Sequence, residues 1–544
     1  MTMRIVGLGM VCLGAVVWAG LASQAQARDN VEEARALAAR IDHYIMAKWG
    51  ENKVVATAKS GDAEFFRRIS LDLTGRIPTL TEMRDFIDDD RPDKRWIWVE
   101  ELLNKKIDAG DGNRSRTLYA MHFANVWREI MLPQQSNNPQ LQFFAAALER
   151  WLQDRLDRNV TYNKIARELL TAPVNGGAVD EFGQMARNTA GPSVFYQANE
   201  LKPENLAANT SRLFLGHKLE CAQCHNHPFA KWKREQFWEL AAFFGGISPQ
   251  GGDQPNVKQI TYKVKGVDKT AEAKFLDGTV PTWDGGKTAR ATLADWVTRA
   301  DNPYFARATV NKVWAYFFGI GLIDPMDEEN DENPPSHPEL LDELAKEFAS
   351  HDFDLKYLIR AIVASRAYQL SSVASHPSQA KNPRLFARMA VRGLSPEQLF
   401  DSVCVAIDFK DNSGPDMGFS RFNQLSPRAQ FLARFANQER RNEMETSILQ
   451  ALFMMNGSFL HEATTLKNNK YLGIIAEDFA KNSKNLSKNV EQVYLIALGR
   501  LPKDAERARI IKYVQARQKI GHGKKAFEDV LWALFNSAEF MLNH

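Results

Sequence analysis

Cys221-Ala222-Gln223-Cys224-His225 is the stretch of this 544-residue chain whose residue types and spacing specify a chemistry. From one helical turn, two thiols at this spacing reach the two vinyl groups of a porphyrin. The histidine that follows lies beneath the iron and offers an imidazole nitrogen. The motif therefore predicts one covalent haem c, tethered by Cys221 and Cys224, with His225 as the proximal iron ligand. Two other readings use the same atoms. Cys221, Cys224 and His227 could enter a zinc site, but a fourth ligand must come from elsewhere and no second Cys-x-x-Cys or His-x-x-x-His pair is present. A Cys221–Cys224 disulfide is open in an oxidising compartment. A thioredoxin-like redox site lacks its βαβ context.

A haem iron has a second axial position, and its occupant sets the potential or leaves room for ligand chemistry. His217, His122, His461, Met454 and Met455 are candidates, and spacing does not choose among them. His227 is too close in sequence to reach the distal face. Trp232, Phe237, Trp238, Phe243 and Phe244 follow the motif, and would either wall a haem pocket or fill the core of the next helix. Lys231, Lys233 and Arg234 would meet propionates, a partner surface or water.

Other clusters read as structural. The acidic run Asp324–Glu332 lacks the spacing and central glycine of an EF-hand and reads as a solvated loop. Arg307, Asn311 and Trp314 share one helix face and read as a satisfied buried network. Cys404, among Leu399, Phe400, Val403 and Ile407, reads as a buried thiol. No Ser-His-Asp constellation, Walker loop or dinucleotide fingerprint appears.

The elements that must position the motif are mostly helical. Apolar residues at Phe65, Phe66, Ile69 and Leu73 give one helix ending at Gly75, and Thr79-Leu80-Thr81-Glu82 opens the next with a capping box. Further helices are expected over 31–49, 115–130, 140–155, 162–170 and 203–215, and then over 302–319. Ser336-His337-Pro338-Glu339 and Ser395-Pro396-Glu397-Gln398 read as two more capping boxes, the second with Leu394 and Leu399 as a hydrophobic staple. The last helices are expected over 489–498, 503–518 and 526–542. Between 245 and 288 glycine, proline and polar residues concentrate, and Gln259–Val264 alternates with period two. One echo stands out: Leu71 to Pro78 resembles Leu495 to Pro502, each followed by a glutamate, Glu82 or Glu506. Each copy reads as a helical corner of glycine cap, arginine, apolar plug and proline.

The fold class is therefore mainly α, with two helical halves separated by a small β insertion or linker. Residues 28–246 form a domain holding the motif, 247–288 the linker and 289–544 the C-terminal domain. Residues 1–27 read as a signal peptide: Arg4, then an apolar run from Ile5 to Leu21, then Ala25-Gln26-Ala27 before the cut. An uncleaved anchor is the alternative. Export to the periplasm or another extracytoplasmic space leaves Cys221, Cys224 and Cys404, too few for a disulfide scaffold. No later stretch is long and apolar enough to span a membrane. With 69 basic and 66 acidic side chains, net charge +3, no single-sign field argues for nucleic acid.

Phe65-Phe66-Arg67-Arg68-Ile69-Ser70-Leu71-Asp72-Leu73-Thr74-Gly75 and Leu219-Glu220-Cys221-Ala222-Gln223-Cys224-His225-Asn226-His227-Pro228-Phe229 resemble the planctomycete cytochrome-associated domain of unknown function. Asn311–Gly319, Tyr368–Ser372 and Leu531–Phe540 resemble its usual C-terminal partner domain. The resemblance implies an exported cytochrome-like protein, whose relatives accompany cytochrome domains and secreted hydrolases. It carries the haem residues over as Cys221, Cys224 and His225. It also implies a soluble redox partner and a link to polymer or sugar breakdown, with proteins of carbohydrate degradation as possible partners. Three functions follow: periplasmic electron transfer, haem-dependent oxidation of a carbohydrate-like substrate, or a non-redox scaffold whose cysteines bind metal or each other.

Overall fold

A computed structural model describes residues 31–108, 115–132, 139–174, 191–248, 252–254, 256–409, 427–435, 455 and 457–544. The expected signal segment and Met454 lie outside the described residues.

The fold is mainly α. Helices cover most of these residues, and the strands form three two-stranded antiparallel sheets. The expected corner is built as read. Helix Asp62–Thr74 ends at Gly75, whose φ of 72° returns its N–H to the Leu71 carbonyl. The next helix, Leu80–Ile87, opens with a complete Thr79/Glu82 capping box. Phe65, Phe66, Ile69 and Leu73 are fully buried. Each such side chain contributes on the order of 1.5–3 kcal/mol by leaving water. The alternating stretch Gln259–Val264 pairs with Val267–Glu272 in a hairpin between helices Arg234–Ala241 and Ala289–Val297.

Local competition shifts several boundaries. Ser115–Thr117 pairs as a strand with Lys106–Asp108, so the helix expected from 115 starts at Leu118 with Thr117 as its cap. The stretch expected to be helical over 203–215 is α only over Pro203–Thr210 and widens into a π turn over Ser211–Leu215. The Ser336 capping box does not form. Helix Pro338–Ser350 is preceded by His337, and the Ser336 hydroxyl lies 3.0 Å from His337 Nδ1 instead of reaching the helix N–H groups. The Ser395 box does form, with Leu394 and Leu399 buried in one cluster.

Two apolar clusters carry the packing. One draws on residues from Ala34 to Met389 and adds Leu495; the other draws on Leu394 to Phe540 and adds Leu71 and Ile77. Each core thus borrows from an echoed corner that belongs mainly to the other. Arg67 and Arg68 are fully buried at this crossing. Arg67 donates to the carbonyls of Ala497 and Phe540, and Arg68 to those of Tyr368 and His544.

Candidate functional site

The motif sits on a short 3₁₀ turn, Glu220–Gln223, with Cys224 at its end. Cys221 and Cys224 are exposed thiols, not joined to each other. Ala222 between them is fully buried and anchors the turn on the core. His225 is exposed, with Nδ1 2.7 Å from the Asn226 carbonyl oxygen. An imidazole whose Nδ1–H is engaged by a carbonyl presents Nε2 as its acceptor, the tautomer a metal-ligating histidine needs.

Residues outside the pentapeptide hold this turn. His227 donates its backbone N–H to Trp232 O, while its Nδ1 accepts from the N–H groups of Phe229 and Ala230. Asn226 Oδ1 accepts from Arg234 N, and the Arg234 guanidinium donates to the Cys224 carbonyl. Trp238 Nε1 donates to the Gln223 carbonyl while its ring stacks on Tyr262 of the hairpin, 4.6 Å between centroids. Asn226 and Tyr262 are positioning residues that sequence reasoning missed, and Arg234, expected to meet propionates, a partner surface or water, turns instead to the Cys224 carbonyl. Only Asn226, a side chain prone to local turns, carried a local signal.

The aromatic stretch belongs to the core. Trp232, Phe237, Phe243 and Phe244 are buried within the larger cluster, and Trp238 is packed against it. The residues therefore fit the attachment of a porphyrin at an exposed turn, by two thiols and a histidine with its Nε2 available. A group so held would be carried at the surface rather than lodged between those rings. Phe229, just past the motif, is 72% exposed.

The distal candidates are dispersed. His217 is buried between the rings of Trp232 and Tyr304, at 4.8 and 5.3 Å, and burial holds it neutral by lowering its pKa to about 4. His122 is hydrogen-bonded to the Tyr316 hydroxyl at 2.6 Å. His461 lies on helix Ser458–Ala463, and the Met455 carbonyl accepts from Trp532. Among the described residues no hydrogen bond or ring contact joins any of these to Cys221, Cys224 or His225. Nor is any group of three or more His, Cys, Asp or Glu there arranged to hold a metal ion, so the zinc reading gains no partner ligands.

The acidic run is a loop exposed at both ends, at Asp324–Met326 and at Asp331 and Glu332, but its middle is not solvated. Asp327 and Glu328 clamp the segment that leads into the motif. Asp327 is buried against Lys312, which also donates to the Arg212 carbonyl; Lys218 N–H donates to Asp327 O, and Lys218 Nζ pairs with Glu328 at 2.6 Å. Arg307 binds Glu329 and Asp342. Asn311 is satisfied by both the N–H and the C=O of Ile323, as expected of a buried network, although Trp314 Nε1 has no partner. Cys404 is buried, as expected.

Residues 40–248 match the family PSCyt2, described as a protein of unknown function (DUF1549), and residues 289–424 match PSD1, described as a protein of unknown function (DUF1553). The chain is a PSCyt2–PSD1 protein. The thiol turn lies in the PSCyt2 region and the acidic clamp in the PSD1 region, so PSD1 braces the segment on which the motif is mounted. Neither the curated proteins nor the solved structures contain a match to the chain. No helix among the described residues is long and apolar enough to cross a membrane.

Proposed function

We propose that this PSCyt2–PSD1 protein is an exported electron-transfer protein carrying one haem c on Cys221, Cys224 and His225. The observation that carries the reading is the turn itself: two exposed thiols on one 3₁₀ turn, followed by a histidine whose Nδ1 is engaged by the Asn226 carbonyl. Bound there, haem c supplies a one-electron iron couple. Cys221 and Cys224 would hold it, His225 would offer its Nε2 as iron ligand, and Asn226 with Arg234 holds the turn. A surface site exchanges electrons with a partner that docks on it rather than with a substrate drawn into a cavity. Lys231, Lys233 and Arg234 lie in the segment just after the turn and favour a partner with an acidic docking face.

The test is a haem stain of the full chain on a denaturing gel, after export in a host with cytochrome c maturation machinery. A stained band and the reduced pyridine spectrum of a twice-attached haem are expected, and Cys221→Ala with Cys224→Ala should remove both. An unstained wild-type band, in a host that matures a control cytochrome, rejects the proposal. A high-spin spectrum would retain the haem and replace transfer by ligand chemistry.

A further inference from the structure

An open cleft of about 650 Å³ lies between the first helix, residues 31–51, the Lys59–Phe65 segment, the 91–99 segment and residues 363–369. That volume suits a small organic molecule. Its lining divides almost evenly between polar groups and an apolar floor that includes Phe65, Val99 and Val363.

The charges in it do not balance. Asp62 is shared by Lys94 at 2.8 Å and Arg95 at 2.9 Å, so one carboxylate answers two cations. Among the described residues Lys59 sits in no salt bridge, Arg95 stands close to it, and the carboxylate that opposes the two, Asp62, is the one already shared. Asp42 is turned to the backbone: its Oδ1 accepts the Arg366 N–H at 2.6 Å, and burial raises its pKa to about 6. The cleft is thus short of negative charge at Lys59 and at the Lys94–Arg95 pair.

We propose that this cleft binds a small organic anion, a carboxylate or phosphate head on an apolar body, with the head at Lys59 and the Lys94–Arg95 pair. The head supplies the missing charge and the body covers the apolar floor. This site uses none of the residues of the thiol turn, so it stands whether or not haem is attached there.

Calorimetric titration of the purified full chain with phenylacetate, phenyl phosphate and benzyl alcohol tests it, since the three share a ring and differ in head. At least one anion should bind tenfold or more tighter than the alcohol, and whichever does so identifies the head. Lys59→Gln should weaken that anion about tenfold, whereas Asp42→Asn, which keeps an oxygen for the Arg366 N–H, should tighten it severalfold. Lys59 is exposed, so its variant should melt with the wild type. Equal binding of the alcohol, no binding of either anion, or anion affinities unmoved by both substitutions overturns the proposal.

Discussion

His217 and His337 are imidazoles that the fold keeps neutral. His217 lies between Trp232 and Tyr304, tilted to one ring and edge-on to the other; burial is the main cause of its low pKa of about 4, and it faces Lys231, Lys312 and Arg307 with only Asp327 in opposition. His337 is lowered to about 4 as well, by burial and then by Lys48 and Arg384, and its Nε2 has no partner. Between pH 6.5 and 4 the unfolded chain binds the protons that the folded chain refuses. The stability both contribute is therefore complete above pH 6.5 and drains away as pH falls towards 4. At pH 5 each costs about 2 kcal/mol relative to neutral pH. Urea unfolding at pH 7.5 and pH 5 should show the loss, and His217→Phe, which keeps a ring between Trp232 and Tyr304, should shrink it by about 2 kcal/mol. An unchanged pH difference in that variant would remove His217 from the account. The same scale shows what a sequence conceals. The thiols and His225 were legible because a pentapeptide contains them. The positioning roles of Asn226, Arg234 and Tyr262 were not, because they depend on atoms the chain brings together only on folding. The middle of the acidic run was misread as solvated for the same reason: Lys312, Lys218 and Arg307 neutralise Asp327, Glu328 and Glu329 from other segments.

The echoed corners are one device used twice. Arg76 forks onto Glu82 and touches the Ile77 carbonyl; Arg500 forks onto Glu506 and touches the Leu501 carbonyl. Each glutamate also caps the following helix through the N–H of Thr79 or Lys503. This much was readable, since glycine, arginine, proline and glutamate at fixed offsets encode a corner without reference to distant residues. What faces each glycine was not readable, and it separates the copies. A Cβ at Gly75, φ 72°, would come 2.5 Å from His122 Nδ1, on a ring held by Tyr316; one at Gly499, φ 66°, would come 2.9 Å from the end of the flexible Met83 side chain. Alanine at either site meets the left-handed penalty of about 1–2 kcal/mol. Gly499→Ala should cost little beyond that, because Met83 can move. Gly75→Ala should cost clearly more, because His122 must give up its hydrogen bond. Denaturant midpoints of the two variants check the order, and equal losses would mean that His122 is not fixed.

At the scale of the whole molecule, the two apolar clusters are tied by a buried polar knot. Asp72 is 1% exposed and accepts from the Arg392 guanidinium at 2.8 and 3.0 Å, from the Tyr368 hydroxyl at 2.7 Å and from Asn543 at 2.8 Å. Arg392 also donates to the Tyr316 carbonyl, and its strand pairs with Leu542–Asn543. Helix 62–74, the segment of Tyr368, the 392 strand and the 543 strand therefore meet at one carboxylate, and its charge requires all of them in place. Removing one partner leaves that charge buried without its counter-ion, a loss of about 3–5 kcal/mol. Arg392→Met should cost this much. It should also quicken amide exchange in both clusters, in helices 62–74 and 486–498 alike, because Leu71, Ile77 and Leu495 cross between the cores beside the knot. Arg392→Met combined with Asp72→Asn removes both charges and should recover part of the loss. Faster exchange confined to residues 394–540, with 34–389 unmoved, would show that the clusters open independently and that the knot closes only one of them.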